Sequence, residues 1–223
     1  PHNPVGRVWT PEELRKVVDI AKKYDKWIIS DEIHFDLVRK GIQHHPLLTI
    51  APEYKDRIVV CTAPSKTFNL AGMQLSNIVI PNEEYQKKWL ELVDERFSVS
   101  SANPFGVTAL IAAYEESEDW LNQVNEYIDG NMAFAQKFFK EHLPKAHMAD
   151  PQGTYLIWVD LRAYCEDGAK LEDLMLHQAK VALDEGYIFG QAGAGFERIN
   201  AACPRSTLEA CLNRMKEALL HQN

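Results

Sequence analysis

Short unbroken apolar runs, Trp27-Ile28-Ile29, Ile58-Val59-Val60-Cys61 and Ile78-Val79-Ile80, restrict this chain more than any other feature. Runs of this length without polar alternation suit strands buried on both faces, as in parallel sheets covered by helices. Ahead of the first run lies a helix signal. Thr10 caps it, Pro11 suits its first position, Glu13 completes a capping box, and Leu14, Val17, Val18 and Ala21 share one face. Strand candidates separated by a helix or a long connection imply crossover units, so the expected class is α/β with a mainly parallel sheet and flanking helices.

A helical block is expected next, over 82–95, 103–116 and 119–142. Its last member carries Leu121, Val124, Ile128, Met132, Ala135 and Phe139 at alternating spacings of three and four, with Trp120, Tyr127, Phe134 and Phe138 on a neighbouring stripe. That pattern predicts a helix packed on two sides, able to connect two domains, and Pro144 ends it. The expected organisation is a large domain over 1–118, a connecting helix over 119–143, and a small C-terminal α/β domain over 144–223. Within the last, the expected elements are a strand from Tyr155 to Leu161, a helix from Leu171 to Asp184, a short strand near Tyr187, a strand from Arg198 to Ala202 and a final helix capped by Ser206 with Glu209.

Lys plus Arg number 24 against 32 Asp plus Glu, a net charge of −8 that argues against nucleic acid as a partner. No apolar run approaches the roughly 18 residues of a membrane helix, and the opening lacks the layout of a signal peptide. The 4 cysteines show no CxxC or metal-ligand spacing, so a reducing, cytoplasmic setting is expected. The opening Pro1-His2-Asn3-Pro4-Val5-Gly6 has no initiator Met and enters a turn at once, which suggests a piece of a longer chain.

Polar groups stand directly after two of the apolar runs: Asp31-Glu32-Ile33-His34 after the first and Ser65-Lys66 after the second. Open α/β sheets bind ligands at that carboxyl edge. A lysine there can attack the carbonyl of an aldehyde cofactor, and a buried carboxylate can hold a pyridinium nitrogen protonated. Asp31 and Lys66 could equally pair with each other or sit in solvent.

The strings HNPVG, SDEIH, SKTFNLAG and FERINAACPR occur in this order. Together they resemble the fold-type I pyridoxal-phosphate enzymes of aminotransferase class I and II. PHNPVGRVW, SDEIH with a following acidic residue, and GTYLIWVD are most similar to the MalY/PatB-like cystathionine β-lyase, or C-S lyase, branch. The likeness covers essentially the whole chain, which begins where that family's Asn-Pro-x-Gly motif falls, in the C-terminal portion of its members.

The resemblance implies pyridoxal 5'-phosphate as cofactor, with Lys66 as its covalent anchor and proton carrier. Asp31 would pair with the pyridinium nitrogen, Asn3 and His34 would contact the phenolic oxygen, Ser65 the phosphate, and Arg198 the substrate α-carboxylate. It implies a homodimer acting on a small amino-acid substrate. The expected reaction splits cystathionine or another cysteine S-conjugate into a thiol, pyruvate and ammonia. An aminotransferase using the same residues, or a catalytically silent fragment of either, remains open.

This chain departs from the family at Gln74, where many aminotransferases carry a phosphate-binding Arg, and at Ala63, where many have Ser. No metal is expected: His44-His45-Pro46 lacks a third ligand and reads as a surface loop. The glycines of FGQAGAGF precede a strand rather than a helix, so they read as a turn delivering Arg198. Cys203, Cys211 and the scattered tryptophans read as packing residues. Arg205 could cap or pair near the last helix.

Overall fold

The computed structural model describes residues 1–99 and 101–221. The expected α/β class holds, and the chain divides into two compact units. The first comprises Pro1, Val8–Val38 and Gln43–Gln123; the second comprises His2–Arg7, Arg39–Ile42 and the chain from Val124.

In the first unit, α1 (Pro11–Lys23) starts at the expected capping box, with Thr10 accepting from the Glu13 amide and the Glu13 carboxylate accepting from the Thr10 amide. Strand β1 (Ile28–Asp31) runs parallel to β2 (Ile58–Thr62), in a register that sets Ile28 beside Ile58 and Asp31 beside Cys61. Between these strands lie a single turn, α2 (Leu47–Ile50), and a 3-10 helix over Pro52–Arg57. Val18 of α1 packs with Leu47, Ala51, Ile58 and Val60 to form the core.

Two features differ from the sequence expectation. Ile29 is 73 % exposed, so β1 is covered on one face only. Strand β3 (Asn77–Val79) pairs with β2 antiparallel, not parallel. The connection from β2 holds only α3 (Pro64–Thr67) and a 3-10 turn at Ala71–Met73. Lacking a crossover helix to carry it to the far edge, the chain re-enters the sheet from the edge it left. Next come α4 (Glu83–Leu90), capped by Asn82 and prolonged by a π-turn over Glu91–Arg96, and α5 (Pro104–Glu116), capped by Asn103.

Helix α6 (Glu118–His142) enters the second unit at Val124. Its Ile128, Met132, Ala135, Phe138 and Phe139 are buried, whereas Trp120 and Tyr127 are exposed. The second unit holds a sheet of β4 (His147–Met148), β5 (Leu156–Asp160), β6 (Asp184–Glu185) and β7 (Phe196–Asn200) in the order β4-β5-β7-β6, all neighbours antiparallel. Ile157, Val159 and Ile199 pack against the α6 residues and against Leu208, Leu212 and Met215 of α8 (Arg205–Leu220).

The expected helix over 171–184 breaks in two. Helix α7 (Gly168–Asp173) passes into a π-turn over Leu174–Ala179, which stops at Lys180 in left-handed backbone. Asp184 instead belongs to β6, Asp184–Glu185, the short strand expected near Tyr187, and Tyr187 itself lies in the 3-10 turn over Gly186–Phe189 that follows. The final helix starts at Arg205, one residue before the expected Ser206 cap, because the Pro204 carbonyl already accepts from the Thr207 and Leu208 amides. Ser206 thus lies inside the first turn.

Candidate active site

In the first unit, Asp31 ends β1, and the chain leaves β2 through Ala63 into α3, which carries Ser65 and Lys66. Both acidic and basic groups therefore stand at the carboxyl edge of adjacent parallel strands. Asp31 is exposed, and its Oδ1 accepts only from the Ile33 amide, at 3.2 Å. Lys66 and Ser65 are half-buried, and neither the lysine Nζ nor the serine hydroxyl has a hydrogen-bond or ionic partner among the described residues. Mutual pairing of Asp31 and Lys66, the alternative left open by the sequence, does not occur.

This edge is braced from beneath. Asp36 Oδ2 accepts from the Thr67 hydroxyl and from the Tyr114 hydroxyl, each at 2.9 Å, tying the turn after β1 to the residue beside Lys66 and to α5. Burial raises the Asp36 pKa, and burial beside Asp36 raises that of Tyr114. Glu32 is buried and accepts from the Ser30 hydroxyl, the Leu47 amide and His44 Nε2. Burial pushes its pKa upward, but these donors outweigh it and hold the carboxyl below its ordinary value. His44 is thus not the surface-loop residue expected from the sequence but an inward partner of Glu32 at 2.9 Å. His34 is buried at 3 % exposure, and its carbonyl accepts from the Leu37 amide.

In the second unit, the structure brings together Asn3 and Arg198. Asn3 lies in a tight turn in which the Gly6 amide donates to the His2 carbonyl at 2.7 Å. Gly6 has φ +77°, and a Cβ there would lie 3.0 Å from the Gly153 carbonyl oxygen, so glycine suits both the backbone and the close approach. Arg198 Nη1 donates to Asn3 Oδ1 at 2.9 Å, while its Nε and Nη2 donate to Asp184 Oδ2 at 3.1 and 2.7 Å. The guanidinium carbon lies 4.8 Å from the centre of the Phe189 ring. Phe189 meets Trp158 edge-on, and Trp158 stacks on Phe196.

Glu197 points to the other face of β7. It is 1 % exposed, and neither carboxylate oxygen has a hydrogen-bond partner among the described residues. Burial, and then the nearby Glu185, Glu172 and Asp184, push its pKa up to about 8. Arg205 pairs near the start of the last helix: its amide donates to the Tyr127 hydroxyl, its Nε donates to Asn131 Oδ1 at 2.7 Å, and its guanidinium lies over the Phe134 ring.

Asp184, Asp36 and Glu197 are absent from the residues singled out in the sequence. Asp184 was hidden by the helix pattern running into it. Asp36 was visible only as the acidic residue after SDEIH, and Glu197 only as a charge inside an apolar strand. Gln74, the departure noted above, is exposed in left-handed backbone closing the turn at Ala71–Met73. No group of His, Cys, Asp and Glu suited to a metal occurs among the described residues. No helix among them is long and apolar enough to cross a membrane.

Residues 1–215 match the family described as aminotransferase class I and II. The cystathionine beta-lyase PatB of Bacillus subtilis is 41 % identical over 219 residues, which are 98 % of this chain and 56 % of that protein. Among solved structures, cystalysin from Treponema denticola, which contains a pyridoxal 5'-phosphate cofactor, superposes with a TM-score of 0.96 at 41 % identity, covering 100 % of this chain and 56 % of its own. A PLP-bound putative aminotransferase from Clostridium difficile gives 0.94 at 44 % identity, covering 98 % of this chain and 56 % of its own. The chain thus spans about 56 % of the length of these relatives. The order of the motifs, the α/β fold and the match over nearly the whole sequence agree: the chain belongs to the aminotransferase class I and II family.

Proposed function

We propose that this chain binds pyridoxal phosphate and carries residues of a C-S β-lyase that cleaves cystathionine or related cysteine S-conjugates to a thiol, pyruvate and ammonia. The carrying observation is that Lys66 and Asp31 stand at one sheet edge without neutralising each other, Lys66 Nζ having no partner among the described residues and Asp31 accepting only from the Ile33 amide. An amine, a hydroxyl and a carboxylate with free hydrogen-bonding capacity at the ends of adjacent parallel strands fit a cofactor with an aldehyde, a phosphate and a pyridine nitrogen. When bound, that cofactor draws electrons away from the α-carbon of an attached amino acid.

In this reading, Lys66 would hold the cofactor covalently until the substrate's amine displaces it, and the freed Nζ would then take the α-proton. Asp31 keeps the pyridine nitrogen protonated, and Ser65 donates to the phosphate. His34 and Asn3 contact the phenolic oxygen. Because Asn3 Oδ1 already accepts from Arg198, its Nδ2 hydrogens are the groups left to donate. Arg198 binds the substrate α-carboxylate, a task suited to a planar and permanently charged fork. Loss of the α-proton would let a thiolate leave the β-carbon, and water would then hydrolyse the released unsaturated amino acid to pyruvate and ammonia. The active species is a homodimer in the cytoplasm.

Borohydride reduction after incubation with pyridoxal phosphate, followed by peptide mapping, tests the first step. A pyridoxyl group on Lys66 is expected, and a label spread over surface lysines overturns the assignment. Release of pyruvate and homocysteine from cystathionine then tests the reaction. The similarity to a putative aminotransferase favours a second reading in which the same residues return the proton and the amino group passes to a keto acid. Amino-group transfer without pyruvate release would select it.

A further inference from the structure

We propose that Asp184 is a positioning residue: it holds the Nε side of the Arg198 guanidinium so that the two N–H groups left over form a fork for a carboxylate. The proposal rests on the reading of Arg198 as the α-carboxylate anchor and adds what aims it. An arginine side chain has five N–H donors in a fixed plane. Asp184 Oδ2 takes one from Nε and one from Nη2, and Asn3 Oδ1 takes one from Nη1. What remains is one hydrogen on each terminal nitrogen, and with Asn3 taking the Nη1 hydrogen that points back toward Cδ these two are the end-on pair that a bidentate carboxylate needs.

Two further contacts fix the plane. The Phe189 ring lies against one face of the guanidinium, with the carbon 4.8 Å from the ring centre. A cation held there resists rotation out of the plane. The β6–β7 register sets Asp184 directly opposite Arg198, so the ion pair is cross-strand and does not depend on a loop. The Arg198 side chain is only 19 % exposed, so a free rotamer search is already restricted, and the carboxylate selects among the few rotamers left. Asp184 is 48 % exposed and touches nothing assigned to the cofactor, which separates its role from that of Arg198.

The decisive readout is the Arg198 Nε–H resonance of the isotopically labelled protein, identified by its loss in Arg198→Lys. A resolved, slowly exchanging signal is expected in the unaltered chain. Asp184→Ala should speed its exchange by about tenfold or more, and Asp184→Glu should restore part of the protection. In the cofactor-loaded protein, Asp184→Ala should raise KM for the amino-acid substrate about three- to tenfold with kcat within about threefold.

An Nε–H signal unchanged by Asp184→Ala overturns the proposal, and so does an unchanged KM where Arg198→Lys raises it. If Arg198→Lys itself leaves KM unchanged, the carboxylate reading of Arg198 fails. The resonance still reports whether Asp184 holds the guanidinium, so the two failures are distinguishable.

Discussion

Glu197 and Arg198 are neighbours in β7 with opposite fates, because successive side chains of a strand face opposite sides. Arg198 has donors satisfied by Asp184 and Asn3, while Glu197 faces inward with neither oxygen hydrogen-bonded among the described residues and with Glu185 across the strand pair. Burial is the first cause of its pKa of about 8, and the acids Glu185, Glu172 and Asp184 add to it. Below the unfolded value near 4.5, Glu197 is protonated in both states and stability does not depend on it. Between about 4.5 and 8 the folded protein keeps a proton that the unfolded chain has lost, so stability falls as pH rises and levels off above the folded pKa. The loss is on the order of 5 kcal/mol. Glu197→Gln should flatten this decline, and thermal unfolding across pH 5 to 9 checks it: an equal slope in both proteins would refute the burial argument. In the same measurement, Thr67→Val should lower the melting temperature, since it leaves the buried side of Asp36 with one donor fewer.

Secondary-structure elements show where local signals suffice and where they stop. Helix α1 begins at the residue its capping box names, because that signal is a reciprocal pair of hydrogen bonds within four residues. Thr10→Ala should therefore cost about 1 kcal/mol, measured by denaturant unfolding. The reading of a helix over 171–184 failed at Lys180, whose left-handed backbone ends the π-turn in favour of a strand that pairs with β7. Periodicity cannot see that partner, and so it missed Asp184. The turn after β6 is equally context-bound: a Cβ on Gly186 would collide with the Gly193 carbonyl oxygen. Gly186→Ala should force the two 3-10 turns apart and displace Phe189, with a stability loss of about 2 kcal/mol or more by the same assay.

At the scale of the molecule, each unit has its own apolar core, one around Val18 and Ile58 and the other around α6, β5 and α8. Large apolar side chains remain outside both, among them Phe105 at 76 % and Ile29 at 73 % exposure. Exposed apolar surface of this kind is consistent with the proposed homodimer, and sedimentation velocity over a concentration series checks it. Pyridoxal phosphate should raise the melting temperature of the chain, because a ligand that binds only the native state stabilises it by RT ln(1 + [L]/Kd). Lys66→Ala should abolish most of that rise.

The sequence alone determined the α/β class, the strand ends that carry Asp31 and Lys66 and the motif order that marks the family, because these depend on apolar runs and residues adjacent along the chain, and Asn3 and Arg198 became candidates only through the family resemblance that those motifs carry. Only the tertiary structure decided that Asp31 and Lys66 leave each other unpaired, that β3 turns back antiparallel, that His44 serves Glu32, and that Asp184 rather than solvent meets Arg198. Each of these depends on groups distant in sequence whose approach is fixed by packing and register, and no local pattern encodes that approach.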